Sequence, residues 1–129
     1  MTRATFRKNE RLTGRDAFTA VVKRGKAVNE APFRLVGLIT SLDSTSPAQV
    51  AFAVPKRFVK RAVVRNRIRR LMREAYRMGK EKWYEPLREA EKQCAWLFIY
   101  QSKDPITLAE TRTKFSNVFE RWFSQHFNK

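Results

Sequence analysis

Residues 56–77 read KRFVKRAVVRNRIRRLMREAYR, and this stretch decides the fold. Wound as an α-helix from Val64 onward, it gathers Val64, Ile68, Leu71, Met72 and Ala75 on one face. Arg65, Asn66, Arg69, Arg70, Arg73 and Arg77 spread over the opposite face, with Arg67 on the flank. The segment is therefore a core-facing helix whose outer surface is almost wholly guanidinium. Seven arginines lie between Arg61 and Arg77, and Glu74 is the only acid among them. Helices that gain by charge pairing carry mixed signs, whereas like charges at this spacing repel. A solvated basic face is the plainer reading. Here one sign and one residue type dominate, and arginine suits phosphates held by paired hydrogen bonds. The pattern points to a polyanionic partner, nucleic acid first.

The rest of the composition agrees. The chain has 129 residues, 43% of them hydrophobic, enough for one domain around one modest core. Its formal net charge is +16. That charge opposes compaction by self-repulsion and favours RNA, DNA or an anionic membrane as partner. The membrane is the weakest of the three: no apolar run approaches the roughly 20 residues that span a bilayer, and the apolar side of the arginine helix is aliphatic rather than Trp-rich. The basic start MTRATFRKNER is followed by no apolar segment, so no secretory leader is expected. Cys94 is the only cysteine, which excludes an intramolecular disulfide and fits a reducing cytoplasm. Cys94 is expected buried beside Trp96. With His126 as the only histidine, neither a zinc site nor a Cys-His catalytic pair is expected.

Taken in order, residues 1–11 read as a basic arm, loosely held, with Phe6 as its anchor. Residues 12–129 form a single domain. Thr13 is placed to cap a first helix, Gly14 to Arg24, with Asp16 completing a capping box. Residues 26–31 read as a polar turn, although a further strand can lie between Lys26 and Ser41. Phe33 to Thr40 is a strand with Phe33, Leu35, Gly37 and Ile39 on one face and Arg34, Val36, Leu38 and Thr40 on the other. Gln49 to Val54 is a second strand, expected to pair with the first as an antiparallel hairpin. Its large face, Val50, Phe52 and Val54, belongs to the core. Its small face, Ala51, Ala53 and Pro55, either floors an open groove or admits a closely packed helix. Gly79 is expected to end the arginine helix, and Pro86 to separate a loop from a short helix within residues 80–93. Ala95 to Gln101, AWLFIYQ, is a strand apolar on both faces and therefore central. Thr107 and Glu110 form a capping box ahead of a last helix, whose stripe of Leu108, Phe115, Val118, Phe119, Trp122 and Phe123 is core. The order is α-β-β-(β)-α-β-α, an α/β or α+β fold.

No self-contained catalytic site is visible: a P-loop, a zinc spacing and a nucleophile-base pair are all missing. Glu81, Glu85, Glu89 and Glu91 alternate with Lys80, Lys82, Arg88 and Lys92, which reads as solvated helix pairing rather than a metal site.

The run from Ala62 to Arg70, AVVRNRIRR, preceded by the strand-like VAFAVPKR, resembles the signature of the bacterial ribonuclease P protein subunit. The resemblance implies a compact two-layer α-β sandwich in which the signature helix is a left-handed crossover between parallel strands, contrary to the usual hand. It implies a subunit of an endoribonuclease that removes the 5′ leader of precursor tRNA, with catalytic groups and Mg2+ belonging to a large RNA. It implies partnership with that RNA and with precursor tRNA, in a 1:1 particle holding one protein. Carried over by position, Arg65, Asn66, Arg67, Arg69, Arg70 and Arg73, with Lys60 and Arg61 leading in, face the catalytic RNA. Phe18, Val22, Arg34, Val36, Lys56 and Arg57 face the leader. Val22 and Val36 stand where the family often carries aromatics, so apolar rather than stacking contact is implied there. Pro55 stands where a small hydroxyl residue is frequent. Three other readings compete: a ribosomal or RNA-chaperone protein, a DNA major-groove binder with Asn66 as reader, and an independent nuclease.

Overall fold

The computed structural model describes Phe6 and residues 8–127. A 3-10 turn at Lys8–Glu10 leads into α1 (Arg15–Arg24), β1 (Lys26–Glu30), β2 (Phe33–Ile39) and β3 (Ala48–Ala53). Then come α2 (Ala62–Glu89), β4 (Cys94–Tyr100), α3 (Leu108–Trp122) and a π-turn at Phe123–Phe127.

The strands form one sheet in the order β1-β2-β4-β3. β4 is central, as its two apolar faces require, and all its residues except Ile99 are buried. It runs antiparallel to β2 and parallel to β3. The expected β2–β3 hairpin therefore does not form, because β4 occupies the place between those strands. The hairpin is β1–β2 instead. Residues 26–31 are thus mostly strand rather than turn: β1 is an edge strand burying only Val28, which accounts for its polar look. The α2 crossover connects β3 to its parallel neighbour β4.

α2 and α3 share one face of the sheet. Between them and the strands lies an aromatic core of Phe33, Trp83, Trp96, Phe98, Tyr100, Phe115, Phe119 and Trp122. Phe98 and Phe115 stack with centroids 4.1 Å apart, and Trp83 stacks on Phe119 at 4.0 Å. Thr107 and Glu110 make the expected capping box. α1 lies on the other face, where Val21 packs with Leu12, Val36, Ala95 and Leu97. Its N-cap is Gly14 at φ 95°, with no side-chain cap bond, rather than Thr13. A positive φ costs glycine little, and that decides the cap.

α2 is longer than expected, running unbroken through Gly79 and Pro86. Its buried stripe continues from Ile68, Met72, Ala75 and Tyr76 into Trp83, Tyr84 and Leu87, so tertiary packing overrides the breakers. Helical side chains lean toward the N-terminus. The Trp83 ring accordingly lies over Gly79, where an added Cβ would come within 2.5 Å of it. Pro86 deprives only the carbonyl of Lys82, an exposed residue that water can serve.

The stretch expected as a loose arm is built into the fold where it is described; residues 1–5 and 7 lie outside the described residues. Phe6 packs edge-on to Tyr76 at 5.8 Å, the Leu12 N–H donates to the Val50 carbonyl, and Glu10 is buried. Lys80, expected in solvent, donates from Nζ to both Glu10 carboxylate oxygens at 2.8 Å. Tyr84 Oη donates to Glu10 Oε2 at 2.7 Å, and Tyr76 Oη donates to Tyr84 Oη at 2.8 Å. Arg88 and Glu81 do form the expected exposed pair, at 2.9 Å.

Candidate nucleic-acid interface

The arginines of α2 fall into two groups. Asn66, Arg67, Arg70 and Arg73 are exposed. Among the described residues, Arg67, Arg70 and Arg73 make no hydrogen bond or ion pair, so their guanidinium groups are turned to solvent unengaged. The others are half-buried and engaged. Arg65 Nη1 donates to the carbonyls of Val59 (3.0 Å) and Lys60 (2.7 Å). Arg69 Nη1 donates to Asn66 Oδ1 at 2.7 Å. Arg77 pairs with Glu74, whose carboxyl its hydrogen bond holds below the usual range.

Lys60 and Arg61 are exposed at the start of α2. The helix has no acid in its first turn and no side-chain cap bond from Arg61. Cations there oppose the helix dipole. A bound anion would offset that cost; an isolated fold would not select it. The charge is also segregated: residues 1–77 hold nineteen of the chain's 28 cations but five of its 12 acids.

The second part of the interface follows from strand register. On the face that α1 covers, cross-strand partners make three rows. Leu38, Ala95 and Gln49 form one; Ala27, Val36, Leu97 and Ala51 the next; Asn29, Arg34, Ile99 and Ala53 the last. α1 crosses the middle row, and Val36 and Leu97 are buried with Val21. One flank of α1, Ala17 and Ala20, borders a cavity over the first row, lined by Leu38, Ala95 and Gln49. The opposite flank carries Phe18 and Val22, one turn apart, 41% and 57% exposed. That flank faces the last row, which no helix roofs: Arg34, Ile99 and Ala53 are half-buried and Asn29 is exposed.

The result is a shallow groove with an aliphatic floor and an exposed aromatic on its wall. Arg34 Nη1 donates to Asn29 Oδ1 at 3.1 Å across the β1–β2 pair. At the β3 end of the row the chain continues into Lys56 and Arg57, both exposed. The structure thus brings Phe18, Val22, Arg34, Lys56 and Arg57 together. It does not bring Val36, which is 6% exposed beneath α1. Asn29, Ala53 and Ile99 were not among the expected site residues. Ala53 was legible as part of a small face; Asn29 lay in a presumed turn, and Ile99 in a strand read as covered on both sides. Both alternatives for that small face turn out to hold, with α1 packing at the Ala51 level and the groove opening at Ala53.

Cys94 is fully buried, and burial pushes its thiol well above the usual range, which rules it out as a nucleophile. Among the described residues no group of His, Cys, Asp and Glu is placed to hold a metal ion, and no helix is long and apolar enough to cross a membrane.

Comparison with known proteins yields one consistent result. The family model described as Ribonuclease P matches residues 6–122. The ribonuclease P protein component of Porphyromonas gingivalis is 36% identical over 103 residues, covering 78% of this chain and 75% of the relative. That of Chlorobium phaeobacteroides is 40% identical over 83 residues, covering 62% and 57%. In fold, the RNase P protein of Staphylococcus aureus superposes with a TM-score of 0.66 at 17% identity, over 92% of this chain and 98% of that one. The Thermotoga maritima RNase P protein gives 0.65 at 22% identity, over 87% and 96%. The chain belongs to the ribonuclease P protein family.

Proposed function

We propose that this protein uses its two adjoining surfaces on two RNAs: the arginine face of α2 on the catalytic RNA of ribonuclease P, and the groove beside α1 on the 5′ leader of precursor tRNA. Arg67, Arg70 and Arg73 supply charge-assisted, sequence-independent contacts to phosphate. Lys56, Arg57, Lys60 and Arg61 continue that charge to the groove. A single-stranded leader can lay a base on Phe18 and its sugar edges over Ala53, Ile99 and Val22.

In this reading the catalytic groups and magnesium belong to the RNA, which hydrolyses the phosphodiester at the 5′ end of the mature sequence. The chain's own residues position the leader and neutralise phosphate charge, so the RNA backbones approach and Mg2+ is bound at lower concentration. One protein per RNA, in the cytoplasm, completes the proposal. The small ribosomal or chaperone reading receives no support from the relatives. The DNA-binding alternative has a single amide reader on the arginine face, Asn66, whose Oδ1 already accepts from Arg69 Nη1.

The observation that carries this reading is the unroofed strand row with Phe18 exposed on its wall, directly continuous with the basic loop. The test is Phe18→Ala in the reconstituted holoenzyme. Binding of precursor tRNA is expected to weaken by about tenfold, since a stacked base is worth roughly 1–3 kcal/mol, while mature tRNA binding stays unchanged. Equal losses for both would remove the leader from the groove.

A further inference from the structure

The loop between β3 and α2 carries four cations in six residues: Lys56, Arg57, Lys60 and Arg61. Repulsion alone would splay it. Three features hold it instead. The Pro55 carbonyl accepts the N–H groups of Phe58 and Val59, both at 3.1 Å, closing a turn. Val59 is 6% exposed and anchors the turn in the core, while the Arg57 guanidinium lies 4.9 Å from the Phe58 ring centroid. After Val59 the chain must leave the core and enter a helix whose first turn offers it no side-chain cap. There Arg65 reaches back and gives Nη1 to the Val59 and Lys60 carbonyls at 3.0 and 2.7 Å.

Both protons of that nitrogen are committed to backbone, and the side chain is half-buried where Arg67, Arg70 and Arg73 are exposed. The Nη1–Nη2 fork is therefore closed to a phosphate. We propose that Arg65 is a positioning residue for the leader: it clamps the Val59–Lys60 backbone so that Lys56 and Arg57 stand at the open end of the Asn29–Arg34–Ile99–Ala53 row. This deepens the proposed function and rests on it. It removes Arg65 from the phosphate ligands that the sequence pattern assigns, and it ties the groove rim to the helix that meets the catalytic RNA. Both clamp bonds leave Nη1, which stands one bond further from the backbone than a lysine Nζ and is held in the guanidinium plane, so a lysine at position 65 keeps the charge without placing its donor between the two carbonyls. A phosphate contact, by contrast, depends mainly on charge.

The experiment uses reconstituted holoenzyme with Arg65→Ala, Arg65→Lys, Arg70→Ala and the double variant Lys56→Ala/Arg57→Ala. Two quantities are read: the ratio of precursor to mature tRNA affinity, and the slope of log assembly constant against log salt. Arg65→Ala and Arg65→Lys are both expected to lower the ratio to that of the double variant, and Arg65→Ala added to the double variant is expected to lower it no further. The assembly slope stays at the wild-type value for both Arg65 variants, whereas Arg70→Ala reduces it by about 1. Arg65→Lys keeps the charge and helix propensity, so it remains informative if Arg65→Ala fails to fold. A wild-type ratio in Arg65→Lys, or a slope lowered by about 1 in Arg65→Ala, makes Arg65 a phosphate ligand and overturns the proposal. An unchanged ratio in the double variant and in Phe18→Ala instead overturns the groove reading beneath it.

Discussion

Removing the buried amine of Lys80 tests how the N-terminal segment is held. Lys80 and Glu10 are 7% and 4% exposed, and Nζ lies 2.8 Å from both carboxylate oxygens. Deleting one partner of such a pair costs about 3–5 kcal/mol, because the other charge stays buried. Here the cost has a ceiling, since Glu10 can escape to water if its segment peels away. Peeling exposes Leu12 and the half-buried Phe6 ring, together worth roughly 3 kcal/mol, and breaks the 2.9 Å bond from Leu12 N–H to the Val50 carbonyl, worth about 1 kcal/mol. Lys80→Met should therefore destabilise by about 4 kcal/mol, a large share of the 5–15 kcal/mol typical of a domain. With a urea m-value of about 2 kcal/mol/M the midpoint falls by roughly 2 M. The melts are run at one ionic strength, because the substitution also lowers the +16 charge and relieves some repulsion. Glu10→Gln/Lys80→Met should recover most of the loss. A Lys80→Met midpoint equal to wild type, with the double variant no different, would refute the reasoning.

Gly37→Ala should destabilise by about 2 kcal/mol or more in the same assay, since its Cβ would come 2.5 Å from the Trp122 ring and 2.7 Å from Trp96 inside the core. Thr107→Ala should cost about 1 kcal/mol by losing the α3 capping box, without altering RNA binding. Burial, first among the causes, raises the Tyr76 and Tyr84 hydroxyls above the usual value near 10. A raised folded-state value gives stability that is complete below the unfolded value and is lost as pH rises beyond it. Absorbance at 295 nm should therefore show these two phenolates only as the circular dichroism of the fold collapses, above about pH 10. Cys94 should resist iodoacetamide in the native protein and react at the rate of unfolding in urea.

Much of the fold is legible in the chain because local pattern and tertiary demand agree. The apolar run of β4 forces a central strand, and Thr107 with Glu110 marks the start of α3. The failures have physical causes. The β2–β3 pairing reads as a hairpin because the two are adjacent in sequence, and only the insertion of β4 reveals otherwise. Gly79 and Pro86 look like breakers, yet Trp83 needs the space at Gly79 and the buried stripe through Leu87 holds the helix together. Of the interface, the exposed arginines are legible from helical phase, whereas Phe18 enters only through the family resemblance. Asn29 and Ile99 are not, because they meet Arg34 and Ala53 only through strand register. Nor is the commitment of Arg65 to backbone, since a one-dimensional pattern does not distinguish an arginine that binds phosphate from one that binds its own loop. The pairing of Glu10 with Lys80, seventy residues apart, leaves no local trace at all.

The measurement that bears most directly on the account is cleavage of a precursor tRNA with a 5′ leader at low magnesium, using the ribonuclease P RNA alone, the protein alone, and the two together. Cleavage at the mature 5′ end by the mixture only, reduced by Arg67→Ala/Arg70→Ala/Arg73→Ala and restored in part at lower salt, is the result predicted. Cleavage by the protein alone, or no gain from adding it to an RNA that is active at high magnesium, would contradict it.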